Sequence, residues 1–454
     1  MRWQPWSADV FAESAATGRP ILLFLGTTWS RGCEHMLRAT FADPRVIERI
    51  DRAVIPVWVD ADERPDVAER YGLDGWPSTL LLTPEGEVLQ GGTYFDAAAL
   101  VRLLDLTLAA WRDAPQAIAT RAALARSRRG QLSVDDGAHH APGEPPPEAL
   151  SGRIAASVAF PGSERFVHGD AIVFLLRHGS AASLAAGHEI LQAADASPIC
   201  RADGAVLRCA RTPEWSPALD EITPDTHASA LRAFAEASRL DDRYRSRVQR
   251  IAAFVRQAWL HRPSDLATDA GAELARASLA AAAALEDREL ALEALAWTER
   301  IALSTYRPGS GVRHRAAEGA PAFASDQIAL VLALLEAHEL TEQSPYIMLA
   351  EELGRYLVSH FFDGVTGAIR DRLHGPDDVA RLAEPLFPFC WNARAADALA
   401  RLARTRGAND FDPVSARLVA WCGARWEAHG LDAATLGLAL VNRERGQTPF
   451  LRST

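Results

Sequence analysis

One cysteine lies where a loop leads from an apolar run into the start of a predicted helix. In the stretch GTTWSRGCEHM, residues 26–36, Cys33 is the only thiol, and Ser30 stands three positions before it. Unpaired N–H groups and the dipole at a helix start favour a thiolate, the reactive form of cysteine. Two-thiol exchange needs an attacking and a resolving sulfur, and a hydroxyl cannot form a disulfide. The stretch therefore supports single-thiol chemistry or binding, and it excludes dithiol oxidoreduction.

Cys33 has two interpretations at this stage: a reactive or regulatory thiol, or a small core residue, which free cysteines often are. His35 lies two residues further along the helix, so it points away from Cys33 and is a poor base for it. The chain has five cysteines and no Cys-x-x-Cys pair, which indicates reduced thiols rather than a disulfide framework or structural zinc. We expect the others to be independent or core thiols: Cys200, Cys209, Cys390 and Cys422.

Composition narrows the class of protein. The chain has 454 residues and a net charge of -11, with acids and arginines interspersed. Nucleic acid and anionic membranes both require a concentrated basic face, so neither is an expected partner. No uncharged apolar run reaches the roughly 18 residues of a membrane span, and the first residues lack the layout of a signal peptide. We expect a cytoplasmic protein of two or more domains, without a cofactor.

A segment rich in Pro, Gly and charge, residues 127–150, predicts a linker between a first domain, 1–126, and a second, 151–454. The adjacent His139 and His140 fall inside it and are expected to be solvated. Before it, helical and strand patterns alternate in the order α-β-α-β-α-β-β-α. This order predicts a small mixed sheet with helices on both faces.

After residue 150 a helical pattern recurs. AIVFLLRHGSAASLAAGHEILQAAD is one of five pairs of amphipathic helices joined by a short polar turn. The connections DGAVLRCAR, GSGVRHRA and TGAIRDR resemble one another and predict short β-excursions. Repeated helical hairpins bury their apolar faces against neighbouring copies, and connections on one side line the mouth of the array. The irregular spacing favours a closed α/α toroid over an open solenoid.

Several motifs carry a resemblance to a known family: RPILLFLG, TFADPRV, VDADERPD, GWPSTLLLTPEG and GGTYF. Residues 1–110 resemble a thioredoxin-like family of largely unknown function that includes the spermatogenesis-associated thioredoxin-like proteins. Their second domain resembles the α/α toroids of N-acylglucosamine epimerases. The resemblance implies a Cys-His-x-Cys-His loop, in which Ser30 replaces the attacking cysteine and Cys33 keeps the resolving position. Phe24 stands where thioredoxin has a buried carboxylate.

The resemblance also points to a groove beside the thiol loop. X-Pro bonds are the only common cis peptides, and a cis bond before Pro77 would hold the backbone of Trp76 beside the helix start. An extended peptide is then an expected partner, flanked by Trp29 and Trp76. The alternative is that both tryptophans are packing residues.

In a closed toroid, the inner helices and their connections form a funnel that can hold a sugar. Asp326 also fits a helix N-cap, and no carboxylate pair shows the spacing of a glycosidase. Three functions therefore stay open: a redox-degenerate thioredoxin-like protein acting as a monothiol or non-catalytic binding module, a carbohydrate-binding or carbohydrate-processing enzyme, and an interaction scaffold. The candidate funnel residues, with no metal expected, are Trp215, Glu221, His227, Arg313, His314, Asp326, Trp391 and Asn392.

Overall fold

The computed structural model describes residues 1–135, 145–159, 164–260, 266–317, 321–407 and 410–444, so His139 and His140 lie outside the described residues. The chain divides into two compact units. The first comprises Met1–His139 with His374–Pro385, and the second comprises His140–Leu373 with Leu386–Thr454. Within the described ranges, no helix is long and apolar enough to cross a membrane.

A four-stranded sheet forms the centre of the first unit. Its strands are β1 (Ile21–Gly26), β2 (Ile55–Asp60), β3 (Ser78–Leu82) and β4 (Val88–Gly92). The spatial order is β2-β1-β3-β4, with β1 parallel to β2 and antiparallel to β3. Every residue of β1 is buried, as its uninterrupted apolar sequence predicts for a central strand covered on both faces.

Six helices accompany this sheet in the predicted order, except that two helices rather than one stand between β1 and β2 and a further helix ends the series. A π-helical turn, Met36–Thr40, follows the second helix, and the third helix begins at Pro44. The helices are α1 (Ala8–Thr17), α2 (Arg31–His35), α3 (Pro44–Ala53), α4 (Pro65–Tyr71), α5 (Ala97–Asp113) and α6 (Pro115–Asp135).

The structure differs from the prediction at the borders of the first domain. Residues 127–135 lie in α6 rather than in a linker, as the continuation of a helix whose first part, from Pro115, is rich in the strong helix formers Ala and Arg. The segment His374–Pro385, predicted to belong to the second domain, is part of the first unit. Leu382 is 3% exposed in the core that contains Tyr71, and the Arg381 guanidinium lies 5.0 Å from the Tyr71 ring centre.

The second unit is a closed ring of helical hairpins. Helices α8, α10, α12, α14, α16 and α18 each contact the next, and α18 contacts α8, so these six inner helices form a toroid rather than an open solenoid. The bounds are α7 (Pro147–Ala159), α8 (Gly169–His178), α9 (Ala181–Ala196), α10 (Pro224–Ser238), α11 (Arg245–Val255), α12 (Thr268–Leu285), α13 (Arg288–Thr305), α14 (Ala324–Thr341), α15 (Ser344–Phe361), α16 (Phe389–Arg406), α17 (Phe411–Gly423) and α18 (Ala434–Glu444).

The three predicted β-excursions are present. The first is a set of isolated bridges that includes Cys200 opposite Val206. The second is a hairpin of β5 (Tyr306–Arg307) and β6 (Gly311–Val312), and the third pairs β7 (Phe362–Asp363) with β8 (Ala368–Ile369). Each precedes the start of an inner helix, so the excursions gather at one end of the ring.

A buried polar side chain in the first turns of an inner helix holds each excursion. His227 Nε2 accepts the Val206 N–H at 2.9 Å. Gln327 bonds both the N–H and the carbonyl of Val312, at 2.9 and 2.6 Å. Asn392 does the same for Ile369, whose N–H lies 2.6 Å from Asn392 Oδ1 and whose carbonyl lies 2.9 Å from Asn392 Nδ2. These bonds satisfy backbone groups that would otherwise be buried without partners.

The buried His227 side chain makes the free energy of unfolding depend on pH. Burial lowers the pKa of His227 from 6.5 to about 4, because the charged imidazole would lose its hydration. As the pH falls, the His227 imidazole therefore takes up its proton in the unfolded chain before it does so in the folded protein. The free energy of unfolding falls as the pH drops from 6.5 towards 4, and the full loss is roughly 3 kcal/mol. Denaturant unfolding across this range measures the loss.

A His227→Gln variant provides the matched comparison, because Gln327 makes the equivalent bonds without titrating. We expect this variant to fold and to lose that part of the pH dependence. An unchanged pH slope in the variant would show that another group is responsible.

Candidate functional site

The thiol loop is packed into the core of the first unit. Cys33 is 1% exposed and Ser30 is 2% exposed. Cys33 Sγ accepts the N–H of Thr27 at 3.4 Å, and a Cβ placed on Gly26 would lie only 3.1 Å from this sulfur. The structure thus favours the core-residue interpretation of Cys33, since a reactive thiol must meet its partner from solvent.

The neighbouring groove residues make protein contacts. The Trp76–Pro77 peptide bond is cis, and a Cβ on Gly32 would lie 3.1 Å from the Trp76 carbonyl oxygen, so loop and turn are closely packed. Trp29 is half-buried and donates from Nε1 to Asp62 at 2.9 Å. His35 bonds the Tyr94 hydroxyl at 2.7 Å. Of the two tryptophans, Trp76 is also half-buried and packs against both cores of the unit.

Most predicted funnel residues have structural roles in the ring. His227 and Asn392 are the buried side chains that bond the backbone of the first and third β-excursions. Glu221 is buried and accepts from Arg208 at 2.7 Å. Trp215 packs against the helical core in a left-handed backbone conformation, with φ of 62°. The Arg313 carbonyl accepts from the Thr268 hydroxyl at 2.5 Å.

His314 and Asp326 form a buried pair. His314 Nδ1 lies 2.9 Å from Asp326 Oδ1, and the same carboxylate accepts the N–H of Phe323 at 3.1 Å, which caps α14. Burial raises the pKa of Asp326. Possible ligand atoms of Asp269, His314 and Asp326 lie within 4.8 Å of one another, but the Asp326 carboxylate is already engaged by protein donors. The arrangement is explained by helix capping.

The interior of the ring holds two cavities. The upper chamber, of about 350 Å³, lies at the N-terminal ends of the inner helices, and the lower chamber, of about 400 Å³, lies towards their C-terminal ends. Asp170, Arg394 and Thr435 line both. None of the eight predicted funnel residues lines either chamber. Trp391 packs under Arg394, with its ring centre 4.8 Å from the guanidinium carbon.

Ion pairs fill much of the space around the lower chamber. Arg276 is 5% exposed at its side chain and bonds Glu273 at 2.8 Å and Glu336 at 2.9 Å. Arg394 bonds Asp170 at 2.6 Å and Glu273 at 3.3 Å. Burial alone would raise the pKa of Glu273, but the arginines outweigh it and lower the pKa. These acids therefore stay ionised and hold neighbouring helices together.

The lining of the upper chamber combines several kinds of polar group. His168 occupies the N-cap position of α8, but its side chain makes no capping hydrogen bond. Burial lowers the pKa of His168, so its imidazole is neutral at pH 7. Cys390 lines the same space and bonds Asp432, and burial raises the pKa of this thiol to about 12. The polar and charged lining residues are His168, Asp170, Arg208, Asp225, Thr226, Ser229, Cys390, Arg394, Asp432 and Thr435.

Sequence reasoning missed these chamber residues. It assigned Cys390 to the core, whereas Cys390 is half-buried at the chamber wall. The available signal was the position of His168-Gly169-Asp170 directly at the start of an inner helix. Selecting aromatic and acidic residues in the connections instead led to side chains that face the wall.

The fold and cavities define the class: a thioredoxin-like unit joined in one chain to an α/α toroid with a polar interior. Residues 1–127 match a family described as "Protein of unknown function, DUF255", whose model is named Thioredox_DsbH. An uncharacterised protein, B0495.5, from Caenorhabditis elegans is 31% identical over 101 residues, which cover 20% of this chain and 14% of that protein. Spermatogenesis-associated protein 20 from Homo sapiens is 31% identical over 101 residues, covering 20% and 13%. The match thus spans a small fraction of these relatives' length.

Solved structures are similar to each unit. A sugar epimerase from a ruminal bacterium has a TM-score of 0.49 at 12% identity, covering 56% of this chain and 75% of its own. A D-mannose isomerase has a TM-score of 0.48 at 13% identity, with 60% and 84% covered. A thioredoxin from Thermus thermophilus has a TM-score of 0.23 at 20% identity, with 24% and 91% covered.

Removing one partner from the interior ion network will be costly. An Arg276→Met variant leaves Glu273 and Glu336 without their shared guanidinium, and breaking such a buried pair costs about 3–5 kcal/mol. Denaturant unfolding measures the change. The control is Arg201→Met, whose pair with Asp203 is 46% and 50% exposed and whose loss should cost under about 1 kcal/mol. Equal losses in the two variants would contradict a structural role for the network.

Proposed function

We propose that the protein binds a small polyhydroxylated molecule of the carbohydrate class in the upper chamber of its toroid. We further propose that its thioredoxin-like unit exchanges no disulfides. The observation that carries the first proposal is the lining of the upper chamber, where carboxylates, guanidinium groups, hydroxyls and a neutral imidazole converge on one cavity. A few polar groups placed in a preformed concave cavity are the usual basis of ligand recognition.

The charge balance of the chamber supports an uncharged ligand. Arg208 and Arg394 face Asp170, Asp225 and Asp432, and much of this charge is already paired within the protein. A strongly charged ligand would have to break these pairs. Hydroxyl groups both donate and accept hydrogen bonds, so a polyol can join the network without displacing it.

A panel of neutral monosaccharides and disaccharides tests the binding proposal. A ligand specific to the folded state raises the melting temperature, and at 100 times its Kd it adds about 2.7 kcal/mol of stability. We expect at least one sugar to give a saturable shift, confirmed by calorimetry. Asp432→Asn should weaken binding, whereas Asp105→Asn, a surface change in the first unit, should not. A panel without a binder would count against the proposal.

The second proposal rests on the thiol loop. Cys33 stands alone with a hydroxyl at the attacking position, and both residues are buried. A lone buried thiol cannot complete a two-electron exchange within the chain. The remaining role that the unit supports is binding, and the half-buried Trp76 beside Pro77 is our candidate contact for an extended peptide.

Insulin reduction tests the redox proposal. The wild-type protein should not accelerate it in the presence of dithiothreitol. Ser30→Cys supplies the matched comparison, because it restores a Cys-x-x-Cys pair at the same site. After oxidation and denaturation, the wild type should show five labelled thiols and the variant four, since two of its six cysteines are joined. Wild-type activity, or a disulfide at Cys33 within the wild-type chain, would overturn the proposal.

A further inference from the structure

His168 stands out among the histidines of the helical unit. Its ring nitrogens have no hydrogen-bond partner among the described residues, and its ring contact is with Phe166 at 5.7 Å between centres. Among the other described histidines of this unit, His429 stacks on Phe389, and six make hydrogen bonds within the protein: His178, His188, His227, His314, His338 and His360.

The position of His168 gives it no evident structural task. It occupies the N-cap of α8, where Ser, Thr, Asp or Asn would stabilise the helix by about 1 kcal/mol, and its side chain makes no such bond. The start of α8 is held instead by Ser229, whose hydroxyl accepts the Gly169 N–H and donates to the Val167 carbonyl, both at 2.8 Å. His168 is half-buried and lines the upper chamber, so its imidazole is open to a molecule held there.

We infer that His168 is the hydrogen-bond acceptor that recognises a ligand hydroxyl in the upper chamber, and that it makes ligand binding sensitive to acid. This inference rests on the proposed function of the same chamber. The neutral imidazole offers one acceptor nitrogen, which the ligand O–H fills. Protonation converts that nitrogen into a donor and removes the bond.

Other groups facing His168 set the background for this sensitivity. Asp432 and Asp225 approach from the segment before α18 and from α10, Arg208 from the first excursion, and Arg394 and Cys390 from α16. Asp432 favours the charged imidazole, but burial outweighs it and lowers the pKa of His168 from 6.5. Binding should therefore be constant above pH 7 and weaken in more acidic solution.

Two variants separate the bond from its titration. Calorimetry uses the sugar from the panel that gives the largest thermal shift. His168→Ala removes the acceptor, so affinity should fall about ten-fold at pH 7.5, the usual scale for one lost hydrogen bond in a cavity. His168→Gln keeps an acceptor oxygen but does not titrate, so it should bind sugar and lose the acid sensitivity. His360→Gln, an exposed histidine outside the chamber, is the control and should behave as wild type.

A ligand-free measurement keeps the inference testable on its own. Diethyl pyrocarbonate acylates neutral, accessible imidazoles, and peptide mass spectrometry reports each site. His168 should react much faster than the fully buried His227, and the bound sugar should protect it. If sugar binds but His168→Ala binds equally well, the inference fails while the proposed function stands. If no sugar binds, the proposed function fails. Fast modification of His168 would then still show that its imidazole is accessible from the chamber. Modification as slow as that of His227 would overturn the inference as well.

Discussion

The pairing of charges inside the ring is the constraint on which the second unit depends. When six inner helices close on themselves, any polar residue on the inward face leaves water, and an isolated buried ion costs several kcal/mol. This cost is offset because each arginine pairs with two carboxylates. Arg276 lies between Glu273 and Glu336, and Arg394 lies between Asp170 and Glu273. Each arginine joins carboxylates of different inner helices, so the network also fixes how those helices face one another.

The two chambers share part of this network, because Asp170 and Arg394 line both. Around the lower chamber, arginines and carboxylates of the inner helices pair with one another. At the upper end the inner helices begin, the excursions fold over them, and the lining includes the uncommitted imidazole of His168. The lower end is thus rich in charge pairs, and the upper end adds an imidazole that bonds no described residue.

In the first unit, the lone cysteine of α2 is a packing residue. Cys33 fills space against Gly26 and accepts a backbone N–H, while Ser30 is buried beside it. The unit is completed by residues distant in the chain. Arg70 Nε donates to the Arg381 carbonyl at 2.9 Å, and Leu382 enters the same apolar core as Tyr71. The stability of the first unit therefore depends on the segment His374–Pro385, which local sequence patterns assign to the second domain.

The sequence by itself determined the elements that local periodicity and chemistry specify. The buried strand β1 and the recurring helical hairpins follow from the spacing of apolar residues, and the absence of a second thiol in the loop before Cys33 is read directly from the sequence. The tertiary structure alone decided which polar residues face the cavity. His227 and Asn392 look like ligands in the sequence but bond backbone groups in the wall, whereas His168 and Arg394 reach the interior. The reason is geometric: a helix carries side chains on all of its faces, and only the closure of the ring determines which face lines the cavity.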